Sequence, residues 1–349
     1  MTYTSPLPPI PVTILTGFLG AGKTTLLNRL IAASGDTRIA VVENEFGAVG
    51  IDGGLIADGS RPDITVVELT NGCVCCSVRG EMSRALAELA DQRDAGTLAF
   101  DRLVLETTGL ADPAPVAQAF FVDEGVRERY VLDGILTLVD AVHAATQLDE
   151  HRVAAAQVGF ADHLLLTKTD LLVDGTQVAT LIERLRRINA RAPIALPPND
   201  DIALAKLLQL NAFHLDEMLE ISPDFLTAHH PQLRSSMGGQ EAPPHFRDDD
   251  VSSLVLRHPG NVDLGRIGTF VEGLLEAQGN DMLRYKGVLA IDDDPRRLIF
   301  QGVHRITGFD YGRNWEDEVP RESVIIIIGR RLDKNAIAAS FATACGHTS

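Results

Sequence analysis

The chain lacks a surplus of positive charge, a long apolar run and a dense set of cysteines, and each absence excludes something. Its 48 acidic residues against 31 basic ones give a formal net charge of −17. That argues against a general nucleic-acid binder, because duplex affinity comes largely from Lys and Arg replacing counterions. One anionic ligand in a local pocket remains compatible with it. No stretch reaches the ~18 apolar residues of a membrane span, and the densest run, Val324 to Ile328, is strand-sized. The first residues, Met1 to Pro9, show no basic end followed by an apolar run, so no secretory signal is expected. Four cysteines in 349 residues do not make a disulfide scaffold. Three of them cluster as Cys73, Cys75 and Cys76, which points to metal or redox chemistry in a reducing compartment and hence to a cytoplasmic location. With 45% hydrophobic and 23% charged residues, the composition is that of a folded chain with a sizeable core.

The order of elements predicts an α/β fold. Short apolar runs at Val12–Thr16, Arg38–Glu43, Ile64–Leu69, Arg102–Glu106, Gly134–Val139 and His163–Thr167 read as strands. Helical spacing occupies Thr24–Ala33, Glu81–Gln92 and Gln177–Asn189. Continuous apolar strands alternating with helices mark a mainly parallel sheet covered on both faces. Prolines, glycines, His229, His230 and Asp248–Asp250 mark a polar linker, placed at 223–250. The expected division is therefore a nucleotide domain at 1–222 and a small α+β domain at 251–349. In the latter, strands at Ser252–Arg257, Tyr285–Ile291, Leu298–Val303 and Ser323–Gly329 and helices at Val262–Ala277 and Lys334–Thr343 give a βαβββα order. That order suggests an antiparallel or mixed sheet. No internal repeat is visible.

The stretch Gly17-Phe-Leu-Gly20-Ala21-Gly22-Lys23-Thr24 fits the phosphate-loop pattern G-x-x-x-x-G-K-S/T between an apolar strand and a helix. Its glycines let backbone N–H groups turn toward phosphate oxygens, and the helix N-terminus adds partial positive charge. Lys23 should reach the outer phosphates, and the Thr24 hydroxyl should bind Mg²⁺. A plain Gly-rich turn does not explain Lys and Thr at these offsets. The nucleotide domain is accordingly expected to be a P-loop NTPase domain.

Thr167-Lys168-Thr169-Asp170 follows a late strand, where guanine-selective P-loop proteins carry Asn-Lys-x-Asp. An Asp there pairs with N1 and N2 of guanine, a pair adenine cannot offer, so GTP is favoured over ATP. Lys168 and Asp170 fit, and Thr167 stands in place of Asn. Glu106-Thr-Thr-Gly109 ends another strand, where most GTPases have Asp-x-x-Gly. Glu106 could hold the Mg²⁺ shell or orient the attacking water, and the Gly109 N–H could meet the γ-phosphate. A helix cap by Thr107 or Thr108 before Pro113 is the plainer alternative, and both can hold.

Asn71-Gly-Cys73-Val-Cys75-Cys76 follows the Ile64–Leu69 strand. Thiolates select Zn²⁺, Co²⁺ or Cu⁺. Two or three thiolates completed by a carboxylate or imidazole form an open set, suited to an ion that must be released. Buried apolar cysteines or a redox pair are the competing readings.

Taken together, GFLGAGKTT at Gly17–Thr25, ENEFG at Glu43–Gly47, NGCVCC at Asn71–Cys76, ETTGLADP at Glu106–Pro113 and TKTD at Thr167–Asp170 resemble the CobW-type GTPases. These are P-loop metallochaperones related to the nickel-insertion GTPases of urease and hydrogenase maturation. The C-terminal Arg284-Tyr-Lys-Gly and Phe300-Gln-Gly-Val stretches and the Trp315 region resemble that family's C-terminal domain. The resemblance implies GTP hydrolysis with Mg²⁺, Zn²⁺ or another transition metal as cargo, and an unidentified metalloprotein client. It implies metal binding by Glu43 and Cys75, with Cys73 and Cys76 beside them. Nucleotide contacts fall to Gly17, Gly20, Ala21, Gly22, Lys23, Thr24, Thr25, Gly109, Lys168 and Asp170, and catalysis to Lys23 and Glu106. Members often carry Glu directly after ENEFG, where this chain has Ala48. Oligomeric state is left open, a nucleotide- or metal-dependent dimer being one form. Two other readings stay in play: a P-loop ATPase or kinase with a structural zinc, and a metal-buffering protein whose hydrolysis is incidental.

Overall fold

The computed structural model describes residues 7–45, 64–70, 78–172, 175–210, 251–316 and 319–346, with backbone alone at 44–45, 64–70, 78–79 and 81. Seven parallel strands form the first sheet, in the order β3-β2-β4-β1-β5-β6-β7. These are β1 (Ile10–Gly17), β2 (Ile39–Glu45), β3 (Ile64–Thr70), β4 (Arg102–Thr107), β5 (Tyr130–Asp140), β6 (His163–Thr167) and the short β7 (Ile194–Ala195). Val12, Ile14 and Leu15 of β1, Leu103 to Leu105 of β4 and Ile135 to Val139 of β5 are buried at every position. Unbroken burial on both sides of a strand requires cover on both faces of the sheet. The helices α1 (Lys23–Ala33), α2 (Val78–Asp94), α3 (Ala114–Val122), α4 (Glu124–Arg127), α5 (Ala144–Glu150), α6 (Arg152–Phe160), α7 (Gly175–Ile188) and α8 (Asp201–Lys206) supply that cover. The chain crosses from β4 to β5 over the central β1. In open α/β sheets the crevice at such a reversal, beyond the carboxyl ends of the strands, takes the ligand.

The second sheet is antiparallel throughout, in the order β11-β10-β9-β12-β8. Its strands are β8 (Val251–Pro259), β9 (Met282–Ala290), β10 (Arg296–Val303), β11 (Ile306–Asn314) and β12 (Glu322–Arg330). The helices α9 (Leu264–Gln278) and α10 (Lys334–Ala344) pack on one face, with the Phe270 and Phe341 rings 5.4 Å apart, centroid to centroid. Four strands were expected here and five are present. The extra strand, β11, is an edge strand whose residues are largely exposed, so it lacks the apolar alternation that marks a strand in sequence. A hairpin joins it to β10 through His304, at φ 52°. The expected linker at 223–250 lies outside the described residues. No helix among the described residues is long and apolar enough to cross a membrane.

The free face of this second sheet joins the core of the first. Leu283, Val303, Val324, Ile326 and Ile328 share one apolar cluster with α6 and β6. Within that junction lies a buried ion cluster. Asp162, just before β6, meets Arg284 at 2.8 Å and Lys286 at 2.7 Å, and accepts the Ile135 N–H at 2.9 Å. Arg284 also donates to the Phe160 carbonyl. Burial pushes the Asp162 carboxyl up, but the two cations outweigh it and hold it below its ordinary value. Burial, with Arg284 beside it, brings Lys286 down to about 8.

Removing the shared acceptor takes from Arg284 and Lys286 the buried carboxylate that balances their charge. Asp162→Ala is therefore expected to lower stability by about 3–5 kcal/mol at neutral pH, measured by denaturant unfolding. A folded-state carboxyl held below its unfolded value contributes stability above about pH 4, lost as pH falls through the lower folded value. The penalty of the substitution should shrink over that acid range. A penalty that stayed constant would contradict the ionic account.

Candidate nucleotide site

The loop between β1 and α1 turns where a side chain has no room. Gly17 sits at φ 143°, and a Cβ there would lie 2.3 Å from the Leu138 carbonyl oxygen of β5. Gly20 and Gly22 follow at φ 72° and 88°, Gly22 as the residue that opens α1. That helix start has no side-chain cap, so its first N–H groups are open to an anion. Lys23 is 8% exposed, and its Nζ donates to the carbonyls of Gly17 and Phe18, both at 3.3 Å. An ammonium held over the loop lies where phosphate oxygens would be gathered.

A cavity of about 370 Å³ opens over this loop, lined by Gly20, Gly22, Lys23, Thr24 and Thr25 on one side and by Glu43, Glu106 and Thr107 to Gly109 on the other. Thr24 Oγ1 donates to Glu106 Oε1 at 3.1 Å. Glu43 and Glu106 are register partners on the adjacent β2 and β4, and Glu43 is 6% exposed. The Glu106 carboxylate and the Thr24 hydroxyl beside an anion cradle are hard oxygen donors, which fit Mg²⁺, with the Glu43 carboxylate next to them. Gly109 closes the cavity, since a Cβ there would lie 2.5 Å from Leu19 Cα. The ETTG segment is thereby packed against the phosphate loop itself.

On the far side, Thr167 ends β6 and its Oγ1 donates to the Ala21 carbonyl at 2.9 Å. The residue in the Asn position thus ties the strand end to the phosphate loop. Lys168 sits at φ 58° and donates to Asp140 Oδ2 at 2.8 Å. Asp140, at the end of β5, also meets His143 Nδ1 at 3.0 Å and accepts the Val142 N–H at 3.0 Å. Burial raises the Asp140 carboxyl, yet the bonds from Lys168 and His143 hold it below its usual value. Asp170 is exposed in the 3-10 turn Thr169–Leu171.

The structure therefore brings Gly17, Gly20, Ala21, Gly22, Lys23, Thr24, Thr25, Glu43, Glu106 and Gly109 together, with Lys168 and Asp170 at the end of a nearby strand. Cys73, Cys75 and Cys76 lie outside the described residues, as do Ala48 and the histidines at 214, 229, 230 and 245. Among the described residues no group of three or more His, Cys, Asp or Glu could hold a metal. Cys345 is half-buried, and burial pushes its thiol up to about 11, which makes it unreactive at neutral pH. Sequence reasoning missed Asp140, Gln147 and Gln157. Asp140 carried a signal, a lone acid ending the apolar Gly134–Val139 run, where strand ends face the ligand. Gln147 donates to the Leu19 carbonyl at 3.1 Å from a polar helix surface and carried none.

Comparisons with known proteins bear on the family and the fold. Residues 11–195 match the model of the CobW/HypB/UreG nucleotide-binding domain, and residues 251–345 match that of the cobalamin synthesis protein cobW C-terminal domain. The chain is 44% identical to zinc chaperone YjiA of Escherichia coli over 96% of this chain and 98% of that one. It is 29% identical to zinc-regulated GTPase metalloprotein activator 1 of Saccharomyces cerevisiae over 94% of this chain and 82% of that one. The crystal structure of Zn(II)-bound YjiA GTPase from E. coli superposes with a TM-score of 0.71 at 39% identity, covering 97% of this chain and 99% of that one.

The Thr167 bond gives a direct test. Thr167→Val keeps the shape and removes the hydroxyl, leaving the Ala21 carbonyl without it. Loss of about 1–3 kcal/mol is expected, read as lower thermal stability and weaker nucleotide binding together. Thr167→Ser should retain most of both.

Proposed function

The chain belongs to the CobW/HypB/UreG family, and from that premise we propose that it is a GTP-hydrolysing metallochaperone, delivering zinc to a metalloprotein client. The observation that carries the reading is the shared cavity. Glu43, the carboxylate assigned to metal cargo, is the register partner of Glu106, whose own carboxylate bonds the Thr24 of the phosphate loop. Cargo binding and nucleotide binding then meet on one edge of one sheet. Thr70, the last residue of β3, pairs in register with Glu45 of β2, and Cys73 follows three residues later in the chain. Cys73, Cys75 and Cys76 would supply soft thiolates to the ion. The names of the relatives, zinc chaperone and zinc-regulated GTPase activator, favour zinc over cobalt. A thiolate site of this kind suits a reducing compartment such as the cytoplasm.

In this mechanism Lys23 and the loop N–H groups bind the β- and γ-phosphates and stabilise charge as the outer bond breaks. Thr24 and Glu106 would hold Mg²⁺, which neutralises phosphate charge when bound. Gly109, which lines the cavity, would offer its N–H to the γ-phosphate. Lys168 and Asp170 read the base, the exposed carboxylate accepting from guanine N1 and N2. A ligand shifts a conformational equilibrium only through its differential affinity for the two states, so zinc release follows hydrolysis if GTP and GDP set Glu43 differently.

Lys23→Ala should abolish productive GTP binding while the chain stays folded, checked by nucleotide titration and circular dichroism. Phosphate release should be faster with GTP than with ATP. Its dependence on added Zn²⁺ should flatten in the Cys75→Ala, Cys76→Ala double variant, with GTP affinity kept within about 5-fold. Equal rates with ATP, or an unchanged zinc response, would contradict the proposal.

A further inference from the structure

Gln157 is fully buried and is the single polar side chain among the buried residues of α6, which otherwise shows Ala, Val, Gly and Phe to the core. Its Nε2 donates to the carbonyls of Gly109 at 3.3 Å and Ala111 at 3.1 Å. One amide thus grips two carbonyls of the loop that follows β4. Rotating the amide would set its oxygen against both carbonyls, so the assignment is fixed by the network. Oε1 is buried and has no hydrogen-bond partner among the described residues. An unmade bond of this kind is unfavourable, and an apolar residue of similar size would avoid it.

We propose that Gln157 is a positioning residue for the terminal phosphate, holding the carbonyls of Gly109 and Ala111 and so fixing the placement of Gly109, which lines the nucleotide cavity. The proposal rests on the reading of that cavity as a GTPase site. Gly109 is wedged between Leu19 of the phosphate loop and the Gln157 amide. Its carbonyl points to α6, which fixes the opposite face of the Gly109–Leu110 peptide. Turning that peptide over would break the bond to the Gly109 carbonyl, and rotating the amide to follow it would set Oε1 against the Ala111 carbonyl. The two-carbonyl grip therefore holds one orientation of the segment, and an apolar residue would not. The same helix carries the consequence outward. A Cβ on Gly159 would lie 3.1 Å from Leu283, and Arg284 donates to the Phe160 carbonyl, so α6 links the loop to the second sheet.

The test is Gln157→Met, which keeps length and burial and removes donor and acceptor. Affinity for GDP should stay within about 3-fold of wild type. The turnover number for GTP should fall roughly 10- to 100-fold, the effect of misplacing a group near the chemistry. Affinity for a non-hydrolysable GTP analogue should fall more than affinity for GDP. Wild-type turnover in the variant, or equal losses for both nucleotides, overturns the proposal and leaves the GTPase reading standing. A wild-type protein that hydrolyses no nucleotide overturns the reading, and this inference with it. Should the variant not fold, hydrogen exchange in the wild type decides. Exchanging GDP for the analogue should alter protection at Gly109–Asp112 and in α6 together, and a change in the loop alone overturns the link.

Discussion

The site depends on a close approach. The phosphate loop leaves β1 against the backbone of Leu138, so tightly that Gly17 has no space for a methyl group. Every other part of the site is registered on that loop. Thr167 holds its Ala21 carbonyl from β6, Gln147 holds its Leu19 carbonyl from α5, and Gly109 packs its Cα against Leu19 from the β4 side. The end of β6, the loop after β4 and the phosphate loop are therefore one mechanical unit. The parallel sheet supplies it, because the carboxyl ends of β1, β4, β5 and β6 all open on the same edge.

Charge sets the second constraint. A chain of net charge −17 places two carboxylates, Glu43 and Glu106, on the wall facing the phosphate loop, where the proposed function puts a triphosphate. Lys23, the loop N–H groups and the α1 terminus offer positive character on one side only. Carboxylates opposite a triphosphate need a cation between them. The same logic binds the two carboxylates to each other's fate, since a cation drawn toward Glu43 alters what Glu106 and Thr24 experience. This is the physical core of the proposed exchange between nucleotide and cargo.

Much of this was legible in the sequence, for reasons that differ by element. The phosphate loop was readable because each residue type answers a local demand: glycine for the positive φ, lysine for the phosphate, threonine for the cation. Strands β1, β4 and β6 were readable because burial on both faces leaves runs that are apolar except for the buried Thr13. β11 was not, because an exposed edge strand with Gly308 and Gly312 carries no period. Thr167 was seen as a departure from Asn, yet its hydroxyl reaches Ala21, a contact spanning 146 positions that no local pattern encodes. Gln157 and the Asp162 cluster were invisible for the same reason. Their meaning lies in carbonyls and cations contributed by distant segments.

The central claim is that guanine nucleotide and metal cargo are read by the same sheet edge. Co²⁺ titration of the wild-type protein, followed by thiolate-to-metal absorption, tests it when run with GDP and with a non-hydrolysable GTP analogue. The account predicts a thiolate band whose midpoint shifts between the two nucleotides by roughly 5- to 150-fold, the usual size of coupling between linked sites. A band with one midpoint for both nucleotides, or no band at all, would contradict it.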